Sequence, residues 1–291
     1  MWPPGSTQIG WSDATGLGLM GTGLISFVGA GPGAPDLLTL RGARRLAAAD
    51  LVVWASSLVP AAVLEHCRDG VEVHDSAGMT LEDVLALYAA HPDAAIVRLH
   101  SGDVSLYSAL TEQLSWCTEH GRAFEIVPGV GSLAAAAATA GIELTVPGVA
   151  QSAVLTRLGG GRTAVSIPDG ESVAGFARHG VTMAIYLSAA RPAALRAELL
   201  AGYPPHTPAI IVAKASWPDE ILITTTVNGL ADALTASGIR TAALVLVGPA
   251  LAGAGARSRL YDPTYSHGCR RRSTPGSTSG RPIPPAKRRS P

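Results

Sequence analysis

A chain of 291 residues with 47% hydrophobic content holds enough apolar material for one large domain or two ordinary ones, which excludes disorder throughout. The formal net charge is zero, yet nine of the 22 Lys/Arg and one of the 22 acidic residues fall between Arg257 and Pro291, so the rest of the chain carries 13 basic and 21 acidic residues. Such an acidic body argues against nucleic acid as its partner, because phosphate binding needs a basic face.

Residues 1–23 are rich in Gly, Ser and Thr without apolar periodicity and read as a flexible extension. From Leu24 onward short apolar runs alternate with helical patterns. Strands are expected near Leu24–Val28, Leu51–Trp54, Val71–His74, Ala95–His100 and Phe124–Val127. Helices are expected near Asp36–Ala49, Pro60–Cys67, Leu81–Ala90, Tyr107–Glu119 and Ser132–Ala140. Five βα units in a row imply an N-terminal domain, residues 24–141, built on a five-stranded parallel sheet with right-handed crossovers. Pro147-Gly148 punctuates the connection to a second α/β domain over residues 148–251. Its strands fall near Gln151–Arg157, Met183–Ser188, Ala209–Ala213, Ile221–Val227 and Ala243–Val247, and its helices at Glu171–Arg178, Pro192–Ala201 and Asn228–Ser237. Two of these strands flank Trp217-Pro218-Asp219-Glu220 as if joined by a tight turn, which makes this sheet mixed. Residues 252–291 lose all periodicity and read as a disordered basic tail, with contact to nucleic acid or an anionic membrane weighed against a passive extension.

No run reaches the roughly 18 to 20 apolar residues of a membrane span, and the first residues lack a secretory pattern, so a cytoplasmic location is expected. Cys67, Cys117 and Cys269 share no metal-ligand spacing and read as free thiols; no metal site is expected.

Three glycine-containing clusters sit just after predicted strands. Gly29-Ala30-Gly31-Pro32-Gly33-Ala34 satisfies the GxGxx(G/A) spacing that lets a backbone approach a ligand closely, and Asp36 is placed to cap the next helix. The spacing admits a nicotinamide or flavin dinucleotide. Against that, Val53-Trp54-Ala55-Ser56 supplies no ribose-binding acid, and Pro32 stiffens the turn. Ser101-Gly102-Asp103 offers polar groups and a carboxylate that complements a positive sulfonium, unless Asp103 instead caps a helix beginning near Ser105. Pro128-Gly129-Val130-Gly131-Ser132 opens an alanine-rich helix whose small residues allow close packing against the sheet or a ligand. All three lie at carboxyl ends of strands in one sheet, the edge where open α/β sheets bind ligands.

The runs Val28–Gly42, His100–Gln113 and Val127–Ala138, in this order, resemble the tetrapyrrole methylases, S-adenosylmethionine-dependent enzymes that act on uroporphyrinogen and corrin precursors. Trp54–Pro60, Thr145–Arg157, Gly159–Arg162 and Ala177–Ala189 are similar to the members that methylate C-11 of precorrin-4. The resemblance implies a cofactor trough between the two domains, with S-adenosylmethionine contacted by Pro32, Ser101, Gly102, Asp103, Leu106, Gly131, Ser132, Leu187 and Ala215. Val104 and Gly131 depart from the family's usual GDP and PGVSS, and the carboxylate proposed as a base in some relatives falls at Ala55. The implied reaction gives precorrin-5 and S-adenosylhomocysteine, and the implied assembly is a homodimer. No catalytic residue is assigned, since a nucleophilic ring carbon and a sulfonium leaving group need positioning more than a base. For the polycarboxylate substrate the candidates are the backbone at Gly31 and Gly33 and the cations Arg98, Arg157, Arg162 and Lys214. Left open are the cobalt complex of the substrate, another ring carbon, a nicotinamide oxidoreductase, and a tetrapyrrole carrier without activity.

Overall fold

The structure, a computed structural model, describes residues 23–160, 167–253, 255–256, 258–262 and 264–268. The first half alternates β1 (Ile25–Gly29), α1 (Leu40–Ala48), β2 (Leu51–Trp54), β3 (Glu72–Asp75), α2 (Leu81–Ala90), β4 (Ile96–His100), α3 (Thr111–Glu119), β5 (Phe124–Val127) and α4 (Ser132–Ala140). Its five strands form one sheet in the order β3-β2-β4-β1-β5, and every pair is parallel. β1 is buried along its whole length, as a central strand covered on both faces must be. The edge strand β3 instead exposes Glu72, the kind of charge that keeps an edge from pairing further.

The sheet order fixes where a crevice opens. The chain runs outward from β1 to β2 to β3, and right-handed crossovers put these connections on one face, where Leu46 of α1 and Val63 pack on Val28, Val52 and Val97. It then returns through β4 to β5, so α2 and α3 cover the other face, with Tyr88 and Leu114 packed on Phe27, Val53 and Phe124. The loops after the adjacent strands β1 and β4 therefore leave toward opposite faces. Between them lies the switch point at which such sheets hold ligands.

The second half contains β6 (Ala153–Arg157), α5 (Val173–Ala177), β7 (Thr182–Tyr186), α6 (Pro192–Leu200), β8 (Pro208–Ala213), β9 (Ile221–Thr226), α7 (Leu230–Ser237) and β10 (Ala243–Val247). Its sheet has the order β6-β7-β10-β8-β9, parallel only between β6 and β7, and so is mixed as expected. One face carries α5, α6 and α7 through Val173, Leu195, Leu199 and Leu234. The opposite face is covered by α4, whose Ala135 and Ala136 share a core with Ile210, Val212, Leu244 and Leu246. α4 thus follows the first sheet in sequence and packs on the second.

Several expectations are corrected. The helix expected from Asp36 is a 3-10 turn over Pro35–Leu37 followed by α1, and the cap is Thr39, whose hydroxyl accepts from Gly42 N at 3.1 Å, not Asp36. The segment Ala61–His66 is a 3-10 run that buries only Val63, too little apolar surface to wind a longer amphipathic helix. The helix expected from Tyr107 begins only at Thr111, because Tyr107 and Ala109 have φ of 54° and 46°, in the left-handed region that helices exclude. No helix begins at Ser105 for Asp103 to cap. β8 and β9 form a hairpin joined by residues 214–220, a wider connection than a tight turn. Beyond 252 the described residues keep local order: Ala256 N donates to Pro147 O at 3.1 Å, and Arg259–Tyr261 form a 3-10 turn. Residues 1–22, Arg162, Cys269 and the rest of the basic tail lie outside the described residues. Among the described residues no helix is long and apolar enough to cross a membrane, and no His/Cys/Asp/Glu group could hold a metal ion.

Candidate active site

The three glycine clusters meet at the carboxyl ends of β4, β1 and β5. Ala30 N donates to His100 O at 2.7 Å, and Gly31 and Gly102 exchange two backbone bonds of 3.2 and 2.8 Å. Both have positive φ, 79° and 66°, which glycine adopts without penalty. Contact is tight enough that a Cβ on Gly29 would stand 2.6 Å from Gly129 N. The floor of the site is therefore closely packed backbone without side chains at Gly29, Gly31, Gly102 and Gly129.

Asp103 ties this floor together. Its Oδ2 accepts from Gly129 N at 2.9 Å, across the gap between the β4 and β5 loops, while its Oδ1 accepts from Ser105 N at 2.9 Å and from the Ser105 hydroxyl. Burial pushes its carboxyl pKa up, but the bonds from Ser105, Gly129 and Val104 outweigh that and the net shift is downward. The anion is kept at neutral pH. Next to it, a Cβ on Gly102 would stand 3.5 Å from Ser132 N, and one on Gly131 would stand 3.9 Å from Asp103 Cβ, so the start of α4 belongs to the same floor.

The second half of the chain supplies the opposite wall. Tyr186, the last residue of β7, brings its ring 5.2 Å from that of Tyr107, and Leu187 follows with φ of 50° and 62% of its surface exposed. Burial raises the Tyr186 phenol, with the nearby Ser132 hydroxyl acting the other way. Ala215 is buried in the 214–220 connection, where Lys214 and Ser216 also have positive φ, 50° and 65°. That connection touches the glycine loop: Trp217 Nε1 donates to Pro32 O at 2.9 Å, and Ala34 N donates to Ser216 Oγ at 3.0 Å. The nine residues expected around the cofactor thus lie on, or next to, segments joined by these contacts, with Ser132 at the start of α4 and Leu187 just after Tyr186. Sequence reasoning missed Tyr107, Tyr186, Ser216 and Trp217 as parts of the site. The only signal was two aromatics next to expected contacts, Tyr107 after Leu106 and Tyr186 before Leu187.

The expected substrate cations are dispersed. Arg157 ends β6; burial raises the Tyr107 phenol and the Arg157 charge acts the other way. Lys214 is ion-paired with Asp219. Arg98 points into the α2/α3 side, donating to Ser76 Oγ at 2.6 Å and Val53 O at 3.4 Å, and burial lowers its pKa. Of the two glycines, Gly31 lies in the floor and Gly33 lies under the Trp217 ring.

Two residues from Arg98, His100 is buried with its Nε2 unpartnered. Burial, then the Arg98 charge, push its pKa down from 6.5 to about 3, opposed by a bond to the Ser108 backbone. Folding depresses this pKa, so the unfolded chain takes up the proton first. This group's contribution to stability is complete above pH 6.5 and is lost as pH falls toward 3, with a limiting slope of about 1.4 kcal/mol per pH unit from this group. Urea unfolding across that window is expected to show a steeper fall in stability in the wild type than in His100→Asn. Equal slopes would refute the assignment.

Residues 24–231 match the model of the Tetrapyrrole (Corrin/Porphyrin) Methylases. The chain belongs to the tetrapyrrole methylases. A precorrin-4 C(11)-methyltransferase of Rhodococcus erythropolis is 44% identical over 244 residues, 82% of this chain and 97% of that enzyme. Among solved structures, a cobalt precorrin-4 methyltransferase superposes with a TM-score of 0.75 at 40% identity, over 78% of this chain and 95% of its own. A uroporphyrin-III C-methyltransferase from Thermus thermophilus, complexed with S-adenosylhomocysteine, gives 0.66 at 30% identity, over 80% and 100%. The parallel sheet and the mixed sheet of this tetrapyrrole methylase are thus those of a methyltransferase scaffold.

Proposed function

We propose that this tetrapyrrole methylase transfers a methyl group from S-adenosylmethionine to C-11 of precorrin-4, giving precorrin-5 and S-adenosylhomocysteine. One observation carries the reading: the glycine, Ser101-Gly102-Asp103 and Gly131-Ser132 backbones meet at one sheet edge, in a chain 44% identical to a precorrin-4 C(11)-methyltransferase across nearly all of that enzyme.

The site fits the cofactor. A side-chain-free floor accepts polar groups at close range, Asp103 supplies a negative charge, and Leu106 and Leu187 present exposed apolar surface at the rim. Pro32, Ser101, Gly102, Asp103, Leu106, Gly131, Ser132, Leu187 and Ala215 are assigned to hold it. S-adenosylmethionine supplies a methyl group on a positively charged sulfur that departs readily. The protein's work is to orient the donor in line with the ring carbon and exclude water, and both walls of the trough serve it. Ala55 leaves the position of the relatives' carboxylate without an acid, in keeping with a reaction that needs no general base. Arg157, whose charge acts on the Tyr107 phenol, is the described cation kept for a substrate carboxylate, with Arg162 retained from the sequence; Arg98 donates to Ser76 and Lys214 pairs with Asp219. A cytoplasmic homodimer with domains over 24–141 and 148–251 completes the proposal.

The test is methyl transfer from labelled S-adenosylmethionine to enzymatically generated precorrin-4, with the product carbon located by NMR. Label at C-11 is expected; label elsewhere, or cofactor binding without transfer, would sink the assignment. The same transfer to cobalt-precorrin-4 is a second reading, favoured by the 0.75 superposition on a cobalt precorrin-4 methyltransferase, and parallel assays on both substrates separate the two.

A further inference from the structure

Residues 214–220 reach from the second domain onto the first, and Trp217 makes the central contact. Its Nε1 donates to Pro32 O at 2.9 Å, and its ring lies so close over Gly33 that a Cβ there would stand 2.2 Å from Cδ1. The neighbouring Ser216 hydroxyl accepts from Ala34 N at 3.0 Å. Three consecutive residues of the glycine loop are therefore held by two residues of the opposite wall. The holding loop is itself braced. Lys214 pairs with Asp219 and sits 5.8 Å from the Trp217 ring centre, and Glu220 accepts from Ser216 N at 2.6 Å and from the Thr139 hydroxyl of α4 at 3.0 Å. Left-handed φ at Lys214 and Ser216, neither a glycine, marks a backbone shape that the surrounding contacts must enforce.

We infer that Trp217 is a positioning residue for the cofactor: acting through the Pro32 carbonyl and the bare face of Gly33, it fixes the glycine loop and the spacing between the two walls of the trough. The inference rests on the functional reading above. Gly33 then serves a different purpose from substrate contact, since its missing side chain is the seat of the indole.

The experiment is calorimetric titration of S-adenosylhomocysteine into wild type, Trp217→Phe, Trp217→Ala, Gly33→Ala and the double variant Gly33→Ala/Trp217→Ala, with thermal unfolding and with KM for S-adenosylmethionine and kcat measured alongside. Trp217→Phe, which keeps an aromatic ring and removes the N–H donor, is expected to weaken binding about 5-fold, the scale of one net hydrogen bond. Trp217→Ala and Gly33→Ala are each expected to weaken it about 100-fold, with KM rising more than kcat falls. The double variant is expected to bind as Trp217→Ala does, because the added methyl no longer meets a ring. Wild-type affinity in Trp217→Phe and Trp217→Ala, or losses that multiply in the double variant, overturns the inference; a lowered melting temperature with unchanged affinity and KM reduces Trp217 to packing and does the same. Should Trp217→Ala fail to fold, Trp217→Phe and Gly33→Ala decide. Failure of the wild type to bind S-adenosylhomocysteine would strike the functional reading itself.

Discussion

Gly129→Ala is expected to remove cofactor binding almost completely, by about 100-fold or more in S-adenosylhomocysteine affinity. The new methyl would stand 2.2 Å from Gly102 O and 2.8 Å from Gly29 Cα. Both neighbours are backbone, so no rotamer change relieves the clash, and the strands that carry them are buried at the centre of the sheet. Overpacking a core costs about 1 to 3 kcal/mol even where side chains can yield. Here the response must be a separation of the β1, β4 and β5 loops, which breaks the Gly31–Gly102 bonds and moves the groups assigned to the cofactor. A matched control is Gly78→Ala: φ there is not positive and a Cβ would meet nothing within 4 Å. Titration and urea unfolding of the two variants side by side give the test, and equal affinities would refute this account of the floor.

The second large effect is expected from Asp103→Ala, a fall of about 100- to 1000-fold in kcat/KM. The substitution strips the acceptor from Gly129 N and Ser105 N together and removes the negative charge at the floor. Bonds to a charged group are each worth about 1.5 to 3 kcal/mol, with the lower end appropriate to a side chain that solvent reaches. Asp103→Asn keeps one carbonyl acceptor, so a milder loss of about 10-fold is expected. Since the folded pKa is below the ordinary 3.8, the contribution of this carboxylate to stability is complete above that value and is lost only as pH falls through the folded pKa. The acid sensitivity assigned to His100 starts higher, from pH 6.5 downward, and Asp103→Asn should leave that part of the profile unchanged. Equal activity in Asp103→Ala and Asp103→Asn would show that the retained carbonyl acceptor carries nothing, and wild-type activity in Asp103→Asn would show the same of the charge.

Much of this architecture is legible in the amino acids because parallel strands buried on both faces must be runs of Ile, Val and Leu, and the helices between them have their own period. The glycine clusters are equally visible, since glycine takes the left-handed turns of Gly31 and Gly102 without penalty. The loop around Tyr107 was not. Leu106, Leu110 and Leu114 keep a helical spacing, and the backbone departs from it through contacts distant in sequence: Asp103 with Gly129, and Tyr107 with Tyr186. Trp217 escaped for the same reason. A tryptophan in a polar turn looks like a surface residue until Pro32 and Gly33, 185 and 184 positions away, are placed beneath it. Arg98 erred in the other direction: a cation near a strand end suggests a ligand, whereas its guanidinium bonds Ser76 and Val53 within the first domain.

The packing of α4 on the far sheet has a bearing on how the chain acquires its structure during synthesis. β1 to β5 are complete once residue 127 is available, but the surface that receives Ala135 and Ala136 is made of β8 and β10 and is finished only at Val247. For more than a hundred residues of elongation the helix has no partner, and a short alanine-rich helix is marginal on its own in water. The backbone amides at its start, which complete the floor of the trough, therefore become ordered last. A nascent chain ending near residue 141 lacks the surface on which α4 packs, so the start of that helix has nothing to hold it in the site until β8 and β10 have formed.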